Sequence, residues 1–286
     1  MTDPLIRPRR SLLFVPGLRP DRFEKALGAG ADIVCVDIED AVPLARKDEA
    51  RDLTFPLFAT PGPAAVETMV RINPLSTPEG LKDILALRAL DRPPAALMLA
   101  KPGSAEEIRL YDELLQGSCA QIRFHVIIES TDGLANVMEI ADASPRIDSL
   151  LFGAVDMSAD LRAAKTWETL LYARSRVVHA AARYGLDLLD VPYLNLDDEA
   201  GLQLESEMAH ALGFTGKASI HPKQIPVINA VFTPSDETIA RARRILDAFA
   251  QDTTGLLVVD GELIERPVIR AMERVLAIAR HLERAG

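Results

Sequence analysis

The chain has 286 residues, 48% of them apolar and 26% charged, and a formal net charge of −10. That length allows one large domain or two small ones, with a core that needs no disulfide staples. The acidic balance excludes a general nucleic-acid binder, which would repel phosphate, but leaves room for a local basic patch that takes a small anion. The cysteines, Cys35 and Cys119, form no CxxC pair, which excludes a cysteine-built zinc site. Cys35 lies in an apolar run and reads as core. No stretch of about 18 apolar residues is present for a membrane span. The start, Met1-Thr2-Asp3-Pro4, lacks the apolar character of a signal peptide. A soluble, cytoplasmic protein is the expectation.

In chain order, apolar β-rich runs fall at 11–15, 32–37, 68–72, 95–100, 123–128, 149–152, 186–190 and 216–220. Gly, Pro, Asn and Asp bound them, and several are too apolar to be half exposed. Amphipathic segments at 21–28, 79–90, 104–115, 167–184 and 197–212 lie between them. Ser104 followed by Glu107 predicts a capping box. Eight β/α units suggest a (β/α)8 TIM barrel, with an open doubly wound sheet as the structural rival. The eighth unit, 216–232, is short. The barrel domain is expected over 9–233. A C-terminal extension over 234–286 reads as a lid and oligomer contact, with helical 237–250, strand-like 255–259 and helical 267–283.

Catalytic groups of such a barrel sit at the C-terminal ends of its strands. Arg71, Lys101, Glu129 and Asp156 follow runs three to six at spacings of 30, 28 and 27 residues, one β/α unit each, so the fold predicts that they converge. Glu129 and Asp156 together offer two oxygens to a hard cation such as Mg²⁺; separately, they read as a solvated strand end and a helix cap. Arg71 reads as an ion-pair partner of Asp37 or Glu39, as a fork for a substrate carboxylate, or as both. Lys101 reads as a substrate contact or a structural ion-pair partner. Arg9, Arg10, Arg19, Arg22 and Lys25 read as solvated charges, or as phosphate contacts near the first rim loop. There is no dinucleotide fingerprint, P-loop or GxSxG elbow.

The segments 10–17 (RSLLFVPG), 37–42 (DIEDAV), 70–73 (VRIN), 153–161 (GAVDMSADL), 216–224 (GKASIHPKQ) and 259–267 (VDGELIERP) resemble, in order, the citrate lyase β-subunit-like family. That family stands with the malyl-CoA lyases in the HpcH/HpaI aldolase superfamily. The resemblance runs from about residue 9 to 283. It implies a Mg²⁺-dependent TIM barrel, a homotrimer or hexamer, that cleaves or forms the C–C bond of a 3-hydroxyacyl-CoA. The products would be acetyl-CoA with oxaloacetate or glyoxylate. By matching motifs, Glu129 and Asp156 would be the metal ligands and Arg71 would hold the oxo-acid carboxylate. Glu39 and Asp40 would position metal-bound waters. Asp260 would be the acid/base, acting in a neighbouring subunit's site. Arg19 and Lys25 would lie near the CoA phosphates, and His221 near the CoA. From spacing alone, Asp260-Gly261 reads as a hairpin turn.

Two positions depart from the family's habit: Ser130 stands where Thr is common, and Val191 where Gly is common. A pyruvate-type class II aldolase would carry a His after run two, and none is there. Hydrolysis of malyl-CoA or citramalyl-CoA stays open, as does a citrate lyase complex subunit acting on an acyl carrier protein.

Overall fold

The structure, a computed structural model, describes residues 7–251 and 257–285. Eight parallel strands close into a barrel in sequence order. They are β1 (Ser11–Pro16), β2 (Ile33–Asp37), β3 (Glu67–Ile72), β4 (Ala96–Leu99), β5 (Arg123–Ile128), β6 (Ile147–Phe152), β7 (Asp187–Asp190) and β8 (Gly216–Ser219). All eight expected runs are strands, and β1 pairs with β8 to close the ring. Helices lie between them: α1 (Phe23–Leu27), α2 (Lys47–Thr54), α3 (Pro78–Arg88), α4 (Ala105–Leu114), α5 (Thr131–Ala135), α6 (Val137–Ala141), α7 (Ala154–Asp160), α8 (Trp167–Tyr184) and α9 (Glu199–Leu212), with α10 (Ile225–Phe232) after β8. This is a (β/α)8 barrel.

Side-chain alternation along the strands stacks the barrel interior in layers. Its middle is apolar and buried, with Cys35, Met69, Met98, Ile127, Leu151 and Leu189 among its members. Two residues further along their strands, Cys35, Met69 and Ile127 are followed by Asp37, Arg71 and Glu129. Two residues back from Met69 and Ile127 come Glu67 and His125. A polar layer therefore sits at each end of an apolar one. The lower layer is an ion cluster. Arg9 reaches Glu67 at 2.7 Å, Asp148 at 2.9 Å and Asp187 at 3.1 Å. His125 bonds Ser149 at 2.6 Å and Glu67 at 3.2 Å. Arg9 and Arg10 are thus neither solvated charges nor phosphate contacts. Arg9 plugs the N-terminal end of the barrel, and Arg10 forks onto Asp32.

Local side-chain chemistry sets the helix ends. Thr166 and Thr169 form a full capping box at α8, which ends at Gly185 in the left-handed region (φ 68°). At α4, Ser104 accepts from the Glu107 N–H, but the Glu107 carboxylate takes the Gly103 N–H at 3.3 Å, so only half of the expected box forms.

The barrel, Arg9–Asn229, is one compact unit, and the residues from 230 on belong to a second. The second contains α11 (Asp236–Gln251), the antiparallel hairpin β9 (Leu257–Val259) and β10 (Glu262–Ile264), and α12 (Arg266–Ala285). Ile245, Ile264 and Ile269 form its small core. Residues 255 and 256 of the expected strand lie outside the described residues. The hairpin turns at Asp260 and Gly261, both at positive φ (51° and 82°), the pairing that a two-residue type I′ turn demands. No helix among the described residues is long and apolar enough to cross a membrane.

Candidate active site

A cavity of about 760 Å³ opens at the C-terminal ends of the strands. Asp37, Arg71 and Glu129 form its floor, Asp40 and Asp156 line it, and Arg19, Arg22, Lys25 and His221 stand around it. Phe14, Pro16, Val191, Pro192, Leu194 and Ile220 supply apolar wall. The four rim residues predicted to converge do so. Arg71 donates from Nε to Asp37 at 2.8 Å, and its Nη1 lies 3.3 Å from Glu39. Lys101 Nζ lies 2.8 Å from Glu39, 3.2 Å from Asp40 and 3.8 Å from Asp156. Both expected partners of Arg71 are therefore real. Lys101 is held as an ion-pair partner by three carboxylates.

Glu129 stands directly after β5 and is 4% exposed, and its Oε1 has no hydrogen-bond partner. Burial, and next the negative charge of Asp156, push its carboxyl well above the usual carboxylate range; Arg71 and Lys101 only partly offset this. A buried acid that is uncomfortable as an anion, with one oxygen unclaimed, suits the role of ligand to a hard cation. The space beside it is kept by Gly153. A Cβ there would come within 2.5 Å of Glu129 Cβ and 2.6 Å of Oε2, so only glycine fits.

Asp156 does not cap its helix. It is the third residue of α7, whose N-cap, Gly153, has no side chain, and it faces the cavity instead. The pair offers hard oxygens, which suits Mg²⁺ better than zinc.

The remaining carboxylates divide by environment. Burial raises Glu39 above its ordinary value despite Arg71 and Lys101. Burial would raise Asp40 too, but hydrogen bonding to Glu39 and the charges of Lys101 and Arg71 outweigh it, and the carboxyl is lowered. Burial would lower Arg71, but its bonds to Asp37 and the charge of Glu39 overcome this and raise it. Lys101 adopts φ 56°, an uncommon geometry for a non-glycine residue that its ion pairs hold in place.

At the mouth, Arg19 is bonded to Asp21 at 2.8 Å, which holds the Asp21 carboxyl at about 2. His221 Nδ1 accepts the Lys223 N–H at 3.1 Å. Asp260 is in the second unit, exposed, with Arg244 at 3.0 Å. One further trio of ligating side chains, Glu67, His125 and Asp148, lies within 4.8 Å of one another. It is the lower ion cluster, where the Arg9 guanidinium already supplies the positive charge.

Sequence reasoning passed over Gly153, whose role depends on the position of a neighbouring strand. It also passed over the chain Arg174–Asp190–Lys217–Glu205, buried except at Glu205, with contacts of 3.0, 2.8 and 2.7 Å. The signal in that case was two cations, on α8 and β8, facing a strand-end aspartate.

The model of the HpcH/HpaI aldolase/citrate lyase family matches residues 10–222. The chain is 34% identical to citrate lyase subunit beta of Leuconostoc mesenteroides subsp. cremoris, covering 96% of this chain and 94% of that one. It is 33% identical to the L-malyl-CoA/beta-methylmalyl-CoA lyase of Cereibacter sphaeroides, covering 96% and 95%. The crystal structure of CitE from Mycobacterium tuberculosis in complex with magnesium, acetoacetate and coenzyme A superposes with a TM-score of 0.77 at 32% identity, covering 95% of this chain and 98% of that one. The chain belongs to the HpcH/HpaI aldolase/citrate lyase family.

Proposed function

We propose that the chain is a Mg²⁺-dependent carbon–carbon lyase. It cleaves or forms a 3-hydroxyacyl-CoA such as citryl-CoA or malyl-CoA, with acetyl-CoA and oxaloacetate or glyoxylate as the smaller partners. The observation that carries this reading is the unclaimed, buried Oε1 of Glu129 beside Asp156, on the floor of a cavity with cations at its mouth. The relatives named for lyase activity, and the neighbour bound to magnesium and coenzyme A, support it.

Glu129 and Asp156 would hold the metal, in the space that Gly153 leaves beside Glu129. Bound there, Mg²⁺ supplies Lewis acidity to the oxygen that becomes the carbonyl of the oxo acid. Arg71, locked by Asp37, presents its guanidinium to the acid's carboxylate. Lys101 fixes Glu39 and Asp40, which orient water at the rim. Arg19, Lys25 and His221 serve the CoA at the mouth, where its phosphates meet positive charge. In the condensation direction Asp260 takes a proton from the acetyl methyl. The resulting carbanion equivalent forms the C–C bond with the oxo carbon, whose oxygen takes a proton from water, while Asp260 returns its proton to solvent. Cleavage runs these transfers in reverse.

The reading includes a cytoplasmic homotrimer or hexamer, in which Asp260 of one subunit serves the cavity of another. The test is to incubate purified protein with malyl-CoA or citryl-CoA and trap the carbonyl product. Oxo acid released with Mg²⁺ and abolished by chelation supports the reading; release that survives chelation contradicts it.

A further inference from the structure

A second cavity, of about 300 Å³, lies behind the loop that follows β7. It shares Val191, Pro192 and Leu194 with the larger cavity, but its other walls include the start of α8, Arg174, Ala154, Asn195 and Glu205. The Arg174 side chain is 3% exposed. Its guanidinium carbon sits 4.5 Å from the centre of the Trp167 ring and 4.9 Å from that of Phe152. Nε donates to Asp190 at 3.0 Å, while Nη1 is buried without a partner. Asp190 also serves Lys217, which in turn binds Glu205. A buried guanidinium N–H without an acceptor is costly, and nothing in the catalytic account uses this one.

The surroundings suit an anion. Trp167 begins an 18-residue helix capped by Thr166, whose N-terminal end carries partial positive charge, and Lys165 precedes the cap. The rest of the wall selects among anions. Trp167, Leu170 and Leu194 present apolar surface, and Glu205 also lines the cavity, which disfavours a multiply charged ion.

We infer that this cavity is a second ligand site, which takes a small monocarboxylic acid. The carboxylate meets Arg174 Nη1, and the carbon body lies against Trp167 and Leu170. Because Val191, Pro192 and Leu194 wall both cavities, occupancy here biases the shape of the catalytic one. The site is independent of which reaction the larger cavity performs.

Trp167 is the only tryptophan of the chain, so its emission reports on this cavity directly. The experiment titrates the full-length protein with propionate and benzoate, with inorganic phosphate for comparison. The expected result is a saturable change with the carboxylates in wild type and in Glu129→Gln, and none with phosphate. Half-saturation should rise about tenfold in Lys165→Glu, an exposed position, and in Arg174→Lys, which keeps a cation for Asp190. No saturable change up to roughly 50 mM overturns the inference. So does an unchanged titration in both variants, or an equal response to phosphate. A response lost in Arg71→Lys but kept in Arg174→Lys places the acids in the catalytic cavity and overturns it as well.

Discussion

Arg71 and Asp37 are paired positions on neighbouring parallel strands, and their side chains meet in a two-point ion pair at the top of the barrel. Asp37 is buried and Arg71 nearly so, which makes each the other's main compensation for leaving water. The pair also fixes the plane of the guanidinium, leaving Nη1 as its less committed end.

Arg71→Lys keeps the charge but not the fork. Its kcat/KM should fall about 10- to 100-fold, mostly through a raised KM for the oxo acid in the condensation direction. Asp37→Asn should lower unfolding stability by about 3 kcal/mol, because it strips a buried charge of its partner. Steady-state kinetics and urea unfolding check the two. An unchanged oxo-acid KM in Arg71→Lys would remove Arg71 from substrate binding.

Glu129→Gln separates metal binding from folding. Because the carboxyl of Glu129 is raised in the folded chain, its charge opposes folding at neutral pH in the absence of a cation. The variant should therefore melt at or above the wild-type temperature without Mg²⁺, and should lose the stabilisation that Mg²⁺ confers on wild type. Activity should drop about a thousandfold. Melting curves with and without Mg²⁺ decide this. A Mg²⁺ shift of wild-type size in the variant would move the metal elsewhere.

Much of this site is readable from sequence, because barrel strands impose a period. One β/α unit separates Arg71, Lys101, Glu129 and Asp156, and strand ends at that spacing must share a rim. What spacing does not carry is the lateral register between strands. The need for glycine at 153 arises from Glu129, one strand away, and Arg9 looks like an exposed N-terminal charge until Glu67, Asp148 and Asp187 close around it. Asp156 reads equally as a cap or a ligand from sequence; its place inside the first turn of α7 decides against the cap. The short helices α5 and α6, together with β10, are too brief to show a clear period.

Acid should unfold the barrel partly through its lower layer. Burial alone would raise the Glu67 carboxyl, but the charge and hydrogen bond of His125, and then those of Arg9, hold it far below its ordinary value. Burial would likewise raise Asp190, but Lys217 and Arg174 overcome it and lower the carboxyl. A depressed folded pKa means stability that is complete above the unfolded value and lost as pH falls through and below it, from about pH 4 downward. Glu129, Glu39 and Asp83 are raised and act in the opposite sense. Comparing variants isolates the lower layer: Glu67→Gln should melt lower at neutral pH and lose less on acidification. Parallel melting-temperature profiles for the two proteins would contradict this.

Asp260→Asn should be structurally silent, since asparagine tolerates the positive φ that the turn requires. It should still bind Mg²⁺ and keep its assembly, yet lose exchange of the acetyl-CoA methyl protons with solvent deuterium. Mixed oligomers of Asp260→Asn and Glu129→Gln should regain part of the activity, because some cavities then combine an intact metal site with an intact Asp260. No recovery would confine Asp260 to its own subunit's site, and unchanged exchange would assign the base elsewhere.

The most direct measurement gives purified protein and Mg²⁺ a panel of citryl-, malyl-, methylmalyl- and citramalyl-CoA, and reads acyl-CoA product and free CoA separately. Cleavage of at least one thioester to acetyl-CoA, propionyl-CoA or pyruvate, without matching free CoA, is the expected result. Free CoA without a shorter acyl-CoA would make the chain a thioesterase, and silence across the panel would point to an acyl-carrier-protein substrate; either would contradict a stand-alone lyase.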